Sequence, residues 1–387
     1  MKLHYSHTMY AHIKKLIIAG TMGLLAILGV MQEAYSQKFL GFRPLNDTIP
    51  DEKGGFVFLP LVYYTPDTRW AFGGAGVYYF KIPPKYENEQ VTRVSNVNFL
   101  ADYTQNRQLD VWGTWNIFTR NENYLIKGEL RFRNFPDRFY GIGNNSSKEA
   151  EELYAYDLFS LKYLMLRKIK PSLFAGLDIH FENEYNFTLE DGGLLEQGNI
   201  TGYNGGRGVG VGFVTVFDSR DNVINAHSGQ LAEFSSYFFR PAFGSQFNFT
   251  SLNATYQKYW QIKRNHIIAS QTVMQFNIGA VPFLDMSTLG SDVILRGYPK
   301  NRFRDNNFWA SQVEYRFPIY WRFGGVGFAG LGDVYSSASD LQLERLKYSV
   351  GAGLRFVVNP AERLNVRLDY GFGREGGYYY FVVTEAF

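Results

Sequence analysis

"YLIKGELRF", residues 124–132, puts Tyr124, Ile126, Leu130 and Phe132 on one side of an extended chain and Lys127, Glu129 and Arg131 on the other. The same alternation returns in "LFAGLDIHFEN" (173–183). There Leu173, Leu177, Ile179 and Phe181 oppose Asp178, His180 and Glu182. It returns again in "NVRLDYGFG" (365–373), where Val366, Leu368, Tyr370 and Phe372 oppose Arg367 and Asp369. A soluble β-sandwich turns one face of every strand into an apolar core. Charge on strand after strand would therefore have to stay wholly exposed, leaving no closed core. A barrel that is apolar towards lipid and polar towards its lumen uses both faces as they stand.

From Phe56 to Phe387 this texture yields sixteen segments of about ten residues, an even number, as expected for a single-chain bacterial barrel. The expected fold is all-β: a 16-stranded antiparallel transmembrane β-barrel over residues 55–387. The short links "TPDT" (65–68), "KRN" (263–265) and "NPAER" (359–363) suit the periplasmic rim. The long ones at 133–152, 184–206, 280–306 and 336–346 suit the extracellular rim.

The front of the chain reads as an export signal over residues 1–36. Lys14 and Lys15 precede the apolar run "LIIAGTMGLLAILGVM" (16–31), and small residues Ala34 and Ser36 set a cleavage site after Ser36. That run is shorter than the roughly 20 residues a spanning helix needs. Residues 37–54 form a short periplasmic lead-in, and nothing after residue 36 is apolar for long enough to span as a helix.

Composition narrows the chemistry. The 387 residues carry 39 Lys+Arg against 36 Asp+Glu, a net charge of +3, so no bias points to nucleic acid. The chain has no Cys, which excludes disulfides, a catalytic thiol and thiolate metal sites. Beyond residue 36 the only histidines are His180, His227 and His266. Asp178, His180 and Glu182 share a face and could form a metal or acid–base cluster, but ordinary wall lining is the better reading. "GGRGVGVG" (205–212) lacks the strand-then-helix context of a phosphate loop and reads as small residues admitting close packing. "DSRDNVINAHSG" (218–229) carries turn chemistry rather than a calcium-loop pattern. No catalytic, cofactor or metal site is expected, and the chain does not read as an enzyme.

One stretch is left over: "SDVILRGYPKNRFRDNN" (291–307), too basic and turn-rich for a strand. An Arg-rich loop on a barrel can splay outward towards anionic lipopolysaccharide or fold inward onto lumen carboxylates. Inward burial of Arg296 requires a partner. In "NFWASQVEYRFPI" (307–319), Trp309, Val313, Tyr315 and Phe317 share the lipid side, which leaves Glu314 facing the lumen. Gly297 permits the unusual backbone that such a loop needs.

At these residues the chain resembles the BamA/TamA superfamily (bacterial surface antigen type). Leu295-Arg296-Gly297-Tyr298 is similar to that family's (V/I)-R-G-(F/Y) loop motif, and Glu314 falls where the family places the carboxylate facing the Arg. "GFAGLGDVY" (327–335) is similar to the next motif, but Gly330 stands at its usual Asp. Asp333 is close by and becomes a possible secondary latch, although its spacing turns it to the opposite face. The lock is thus expected to rest on Glu314 alone. The final segment, with Tyr379, Phe381, Val383 and Phe387 on one face, resembles the signal read by the barrel-assembly machinery, interrupted by Glu385.

The resemblance implies an outer-membrane barrel of a Gram-negative bacterium with an inward-folded extracellular loop. It also implies a barrel-only member, since residues 37–54 leave no room for POTRA modules. Its expected surroundings are outer-membrane lipids and lipopolysaccharide, and its expected partners are client outer-membrane proteins or a separate periplasmic protein. The implied activity is assistance in inserting or translocating proteins, or lipids, through a seam between the first and last strands. The alternative from another class is a passive pore or structural barrel without insertase activity.

Overall fold

The computed structural model describes residues 55–65, 69–83, 92, 95–197, 199–340, 343–360 and 363–387. The expected signal peptide (1–36) and lead-in (37–54) lie outside the described residues. The strands in chain order are β1 (Gly55–Thr65), β2 (Arg69–Phe80), β3 (Ser95–Thr104), β4 (Leu109–Phe118), β5 (Tyr124–Phe139), β6 (Glu152–Lys170), β7 (Leu173–Thr188), β8 (Gly206–Asp218) and β9 (Gly229–Phe239). They continue as β10 (Asn248–Lys263), β11 (His266–Ala280), β12 (Ser287–Leu289), β13 (Phe303–Asp305), β14 (Asn307–Tyr320), β15 (Phe323–Tyr335), β16 (Lys347–Asn359), β17 (Leu364–Gly373) and β18 (Gly376–Val383).

Sixteen of these form one antiparallel sheet in sequence order, the wall of the barrel. β12 and β13 pair only with each other, as a small hairpin inside the long connection between β11 and β14. Each wall strand pairs with its neighbour in the chain (β11 with β14 across that hairpin), so every register is set by a local hairpin. Among the described residues, no backbone ladder joins β1 to β18.

The two faces of the wall follow the alternation in the sequence. Outward side chains such as Leu177 (61% exposed), Ile179 (53%) and Ile278 (63%) would be untenable in water and belong in lipid. The inner face carries paired charge: Arg131 Nε donates to Asp110 Oδ1 at 2.9 Å, and Lys162 lies 3.7 Å from Glu129. His180 stands 3.2 Å from Glu182, while Asp178 accepts a hydrogen bond from the Tyr237 hydroxyl at 2.8 Å. These three line the wall opposite Gly212, Gly210 and Gly208 of β8, whose missing side chains leave them room.

Two expectations about the rims change. Antiparallel strands alternate direction, so links leaving odd-numbered wall strands share one rim. The end of β1 at Thr65 and the start of β2 at Arg69 therefore lie on the rim of the long loops, not on the periplasmic rim with "KRN" and "NPAER", while the rest of "TPDT" lies outside the described residues. The long connections are also shorter than expected, because β5 runs on to Phe139 and β7 to Thr188. At their ends Phe139, Tyr154, Leu195 and Phe283 pack into an apolar cluster that continues the strands.

Candidate functional site: an inward loop latch

The connection between β11 and β14 folds back into the barrel. Leu289, Leu295, Tyr298 and Phe303 bury themselves against Phe308, Ala310 and Val334 of the wall, giving the loop a small core of its own. At its tip the backbone turns sharply, with Leu295 at φ +54° and Gly297 at φ +118°. A Cβ on Gly297 would stand 2.8 Å from the Phe372 carbonyl carbon, so only glycine lets the tip lie on β17. The wall reciprocates: a Cβ on Gly371 would meet the Arg296 carbonyl carbon at 2.5 Å, and one on Gly373 would meet the Tyr298 ring.

This turn aims Arg296 into a pocket where its side chain is fully buried. Its guanidinium ion-pairs with Glu314 of β14 and, through Nη1, with Asp369 Oδ2 of β17 at 2.6 Å. The Phe328 ring lies 3.6 Å from the guanidinium carbon and covers its face. The carboxylates are themselves shared. Glu314 accepts from Arg316 at 2.8 Å, and Asp369 accepts from Arg367 at 2.7 Å and from Arg355. Asp292 pairs with Arg367 at 3.2 Å, and Glu385 with Arg355 at 2.7 Å. A buried charge is tolerable only inside such a hydrogen-bonded set.

The expectation that Arg296 rests on Glu314 alone is therefore corrected. Asp369 is the second carboxylate, contributed from β17 rather than β15. Gly330 supplies none, and a Cβ there would be crowded, 3.1 Å from Gln312 Cβ and in contact with Leu295 of the loop at 3.5 Å. Sequence alternation had already turned Asp369 inward, but which strand the loop tip would touch is a long-range fact. Asp333, the possible secondary latch, is buried elsewhere. It accepts from Asn144 and from its own following amide, holding the 140–151 connection rather than Arg296.

Tyr298 and a residue not anticipated, Tyr380, complete the clamp. The Tyr298 hydroxyl donates to Tyr348 O at 3.0 Å and accepts from Arg374 N at 3.1 Å. The Tyr380 hydroxyl of β18 accepts from Gly297 N at 2.9 Å and donates to Tyr298 O at 2.8 Å. The loop tip is thus fastened to the last strand of the wall. The remaining basic residues hold the outer half of the loop. Arg302 pairs with Glu375 at 2.6 Å and donates to Ser146 O at 2.8 Å, and Arg304 donates to Phe283 O.

Where the loop enters the lumen, Asp285 faces Glu182 and Glu184 of β7, with Lys162 nearby. Burial, with those two carboxylates beside it, pushes the Asp285 carboxyl well above the usual carboxylate range. A carboxyl raised in the docked state holds its proton there. Docking at this corner is therefore favoured at low pH and weakens as pH rises through the raised value. Asp285→Asn should weaken that dependence: limited proteolysis of the loop should accelerate less with rising pH in the variant than in the parent, with the buried Glu184 beside it keeping the remainder. Among the described residues, no group of three or more His, Asp or Glu is arranged to hold a metal ion.

The last segment does not follow its expected course. Tyr379 and Phe381 point outward from β18, but the strand ends at Val383, and Thr384 turns the chain with φ +81°. Glu385 is buried against Arg355 and Asn365, and Phe387 packs inside against Ala226, Tyr259, Ile267 and Ala269. Phe387 therefore does not share the lipid face of Tyr379 and Phe381. A carboxylate at 385 cannot sit in lipid, and the lumen arginines draw it and its neighbours inward.

The model of the Omp85 superfamily domain matches residues 208–380, a span that includes Arg296, Gly297, Tyr298, Glu314 and Asp369. The structure of BamA from Haemophilus ducreyi lacking POTRA domains 1–3 superposes with a TM-score of 0.57 at 12% identity, over 86% of this chain and 70% of that one. CdiB from Escherichia coli gives 0.54 at 11% identity, and CdiB from Acinetobacter baumannii 0.52 at 9%. Each covers 86% of this chain, which spans 61% and 59% of theirs. No curated protein matches the chain. With a sixteen-stranded wall and an inward loop carrying Arg296-Gly297-Tyr298, residues 208–380 carry an Omp85 superfamily domain, and the chain folds as a Gram-negative outer-membrane β-barrel.

Proposed function

We propose that this barrel assists the insertion or translocation of proteins, or of lipids, at the outer membrane, with the β1–β18 seam as the working site. The observation that carries the reading is the state of β18. It is the last strand of the wall, and Tyr380 ties it to the loop tip. A strand edge offered at a seam is a template for another strand. Here the last strand is held by the latch, so release of the loop and mobility of that strand are linked. Gly376, at φ +118°, gives β18 a pivot at its extracellular end.

On this reading Arg296, Gly297, Tyr298 and Glu314 form a latch, and Tyr379 and Phe381 serve in the chain's own assembly by the barrel-assembly machinery. Residues 1–36 act as an export signal. A separate periplasmic protein delivers clients, lipopolysaccharide and lipids surround the wall, and no catalytic chemistry is assigned.

Two measurements decide between this and a passive pore. Cys pairs placed across β1 and β18, oxidised to a permanent bond, should abolish the growth or secretion phenotype that the unlocked parent complements. Deletion should lower the amounts of other outer-membrane proteins or alter surface lipids. A seam that can be locked without consequence, with unchanged proteins and lipids, would leave only the pore.

A further inference from the structure

Residues 384–387 end in a built seat rather than at the membrane surface. The Phe387 ring lies against Ala226, Tyr259, Ile267 and Ala269, with its centroid 6.3 Å from that of Tyr259. Arg316 covers the ring at 5.3 Å and donates from Nη2 to the Phe387 main-chain oxygen at 2.9 Å. Two residues back, Glu385 accepts from Arg355 at 2.7 Å and from Asn365 at 2.7 Å, and Thr384 N donates to Asn365 O at 2.8 Å. Phe387 thus sits on β10, β11 and β14 and Glu385 on β16 and β17, so the tail leaves β18 and crosses the lumen near its periplasmic mouth. The 219–228 connection closes the same mouth. Asn225 accepts from Arg316 at 3.3 Å, and Asp221 pairs with Arg363 at 2.7 Å.

The arginines that hold this tail are the ones that hold the carboxylates of the latch. One path runs from Phe387 through Arg316 and Glu314 to Arg296; the other runs from Glu385 through Arg355 and Asp369 to Arg296. The charge count makes the link physical. Arg296, Arg316, Arg355 and Arg367 give four positive charges, facing Glu314, Asp369 and Glu385 inside and Asp292 at the rim. If Glu385 leaves, four cations face two fully buried carboxylates and one half-exposed one. The excess positive charge then bears on Arg296, the member carried by a loop rather than by a strand.

We propose that the lumen face of β10, β11 and β14 is a binding site for the residue 384–387 segment, and that its occupancy holds the extracellular loop latched. Whatever draws this segment out at the periplasmic side then frees the tip of the loop that enters from the extracellular side. The proposal stands on the tail's geometry and does not require the barrel to insert anything.

The absence of cysteine makes the test clean. Leu295→Cys, buried at the loop tip, serves as the reporter, and its labelling rate by a membrane-impermeant maleimide is measured on refolded barrels whose heat-modifiable gel migration shows that they are closed. Glu385→Gln and Phe387→Ala should each raise the rate at least about tenfold, the effect of weakening a local lock. Because the tail also serves as the expected assembly signal, those variants can fail to insert. Tyr259→Ala removes the seat instead, leaves residues 376–387 intact, and should raise the rate likewise. Ile278→Ala, on the lipid face of β11, should leave it unchanged. Unaltered labelling in correctly folded Tyr259→Ala barrels would overturn the proposal, as would equal effects from Ile278→Ala.

Discussion

Arg296→Ala should open the lumen. The side chain is fully buried and holds carboxylates from two strands, β14 and β17, that the loop otherwise touches through apolar and main-chain contacts and the half-exposed Asp292–Arg367 pair. Removing it leaves Glu314 and Asp369 buried with one cation fewer, a change that costs about 3–5 kcal/mol when one partner of a buried ion pair is lost. The whole cost falls on the docked loop, because the wall strands keep their ladders. Planar-bilayer recordings should show higher conductance or frequent large openings, and the loop should become protease-sensitive. Arg296→Lys keeps the charge but cannot reach two carboxylates with a planar fork, so it should open the lumen nearly as far. Unchanged conductance in both variants would remove the loop from the role of plug.

Gly371→Val should release the same loop without touching a charge. A Cβ at this position of β17 would stand 2.5 Å from the Arg296 carbonyl carbon and 2.7 Å from Gly297 N, contacts that backbone cannot absorb. Either the tip lifts or β17 shifts, and β17 is held by ladders on both sides. The expected result is the Arg296→Ala phenotype with the ion network intact. Gly327→Val is the control, because a Cβ there meets nothing within 4 Å. Overpacking of this kind typically costs about 1–3 kcal/mol, enough to shift the docking equilibrium by one or two orders of magnitude. Normal conductance in folded Gly371→Val barrels would show that the tip does not need its present seat on the wall.

Both variants act on contacts that differ in how visible they were beforehand. The Arg296–Glu314 pair could be read from the sequence, because alternation turned Glu314 inward and an inward Arg needs a carboxylate. Asp369 was also turned inward by "NVRLDYGFG", yet nothing in the chain said that the loop would reach a strand more than seventy residues downstream. Tyr380 carried no signal either. It alternates with Tyr379 and Phe381 on the final strand, and its clamp on Gly297 N and Tyr298 O exists only once the tip is docked. Asp333 was a near miss of another kind: its spacing turned it away from Arg296, and its partners proved to be Asn144 and its own strand's backbone.

Phe387 shows where a local rule gives out. Period-two alternation assigns a face only while the chain remains extended, and Thr384 ends that condition. Glu385 was the warning, a carboxylate at a position that would otherwise face lipid. Its burial against Arg355 and Asn365 carries Phe387 across the lumen with it.

The sequence by itself determined what depends on neighbours in the chain. It set the strand period, the polar and apolar faces, the count of wall strands and the hairpin order, because each strand pairs with the next and each side chain meets either lipid or lumen. The tertiary structure alone decided what depends on closure. It chose β17 as the source of the second carboxylate, bound the loop tip to β18, seated Phe387 on β10 and β11 and joined the loop tip to residues 385–387 through shared arginines. Those contacts link residues that only a curved wall brings together. Buried charge is costly enough that, once brought together, they fix a single arrangement.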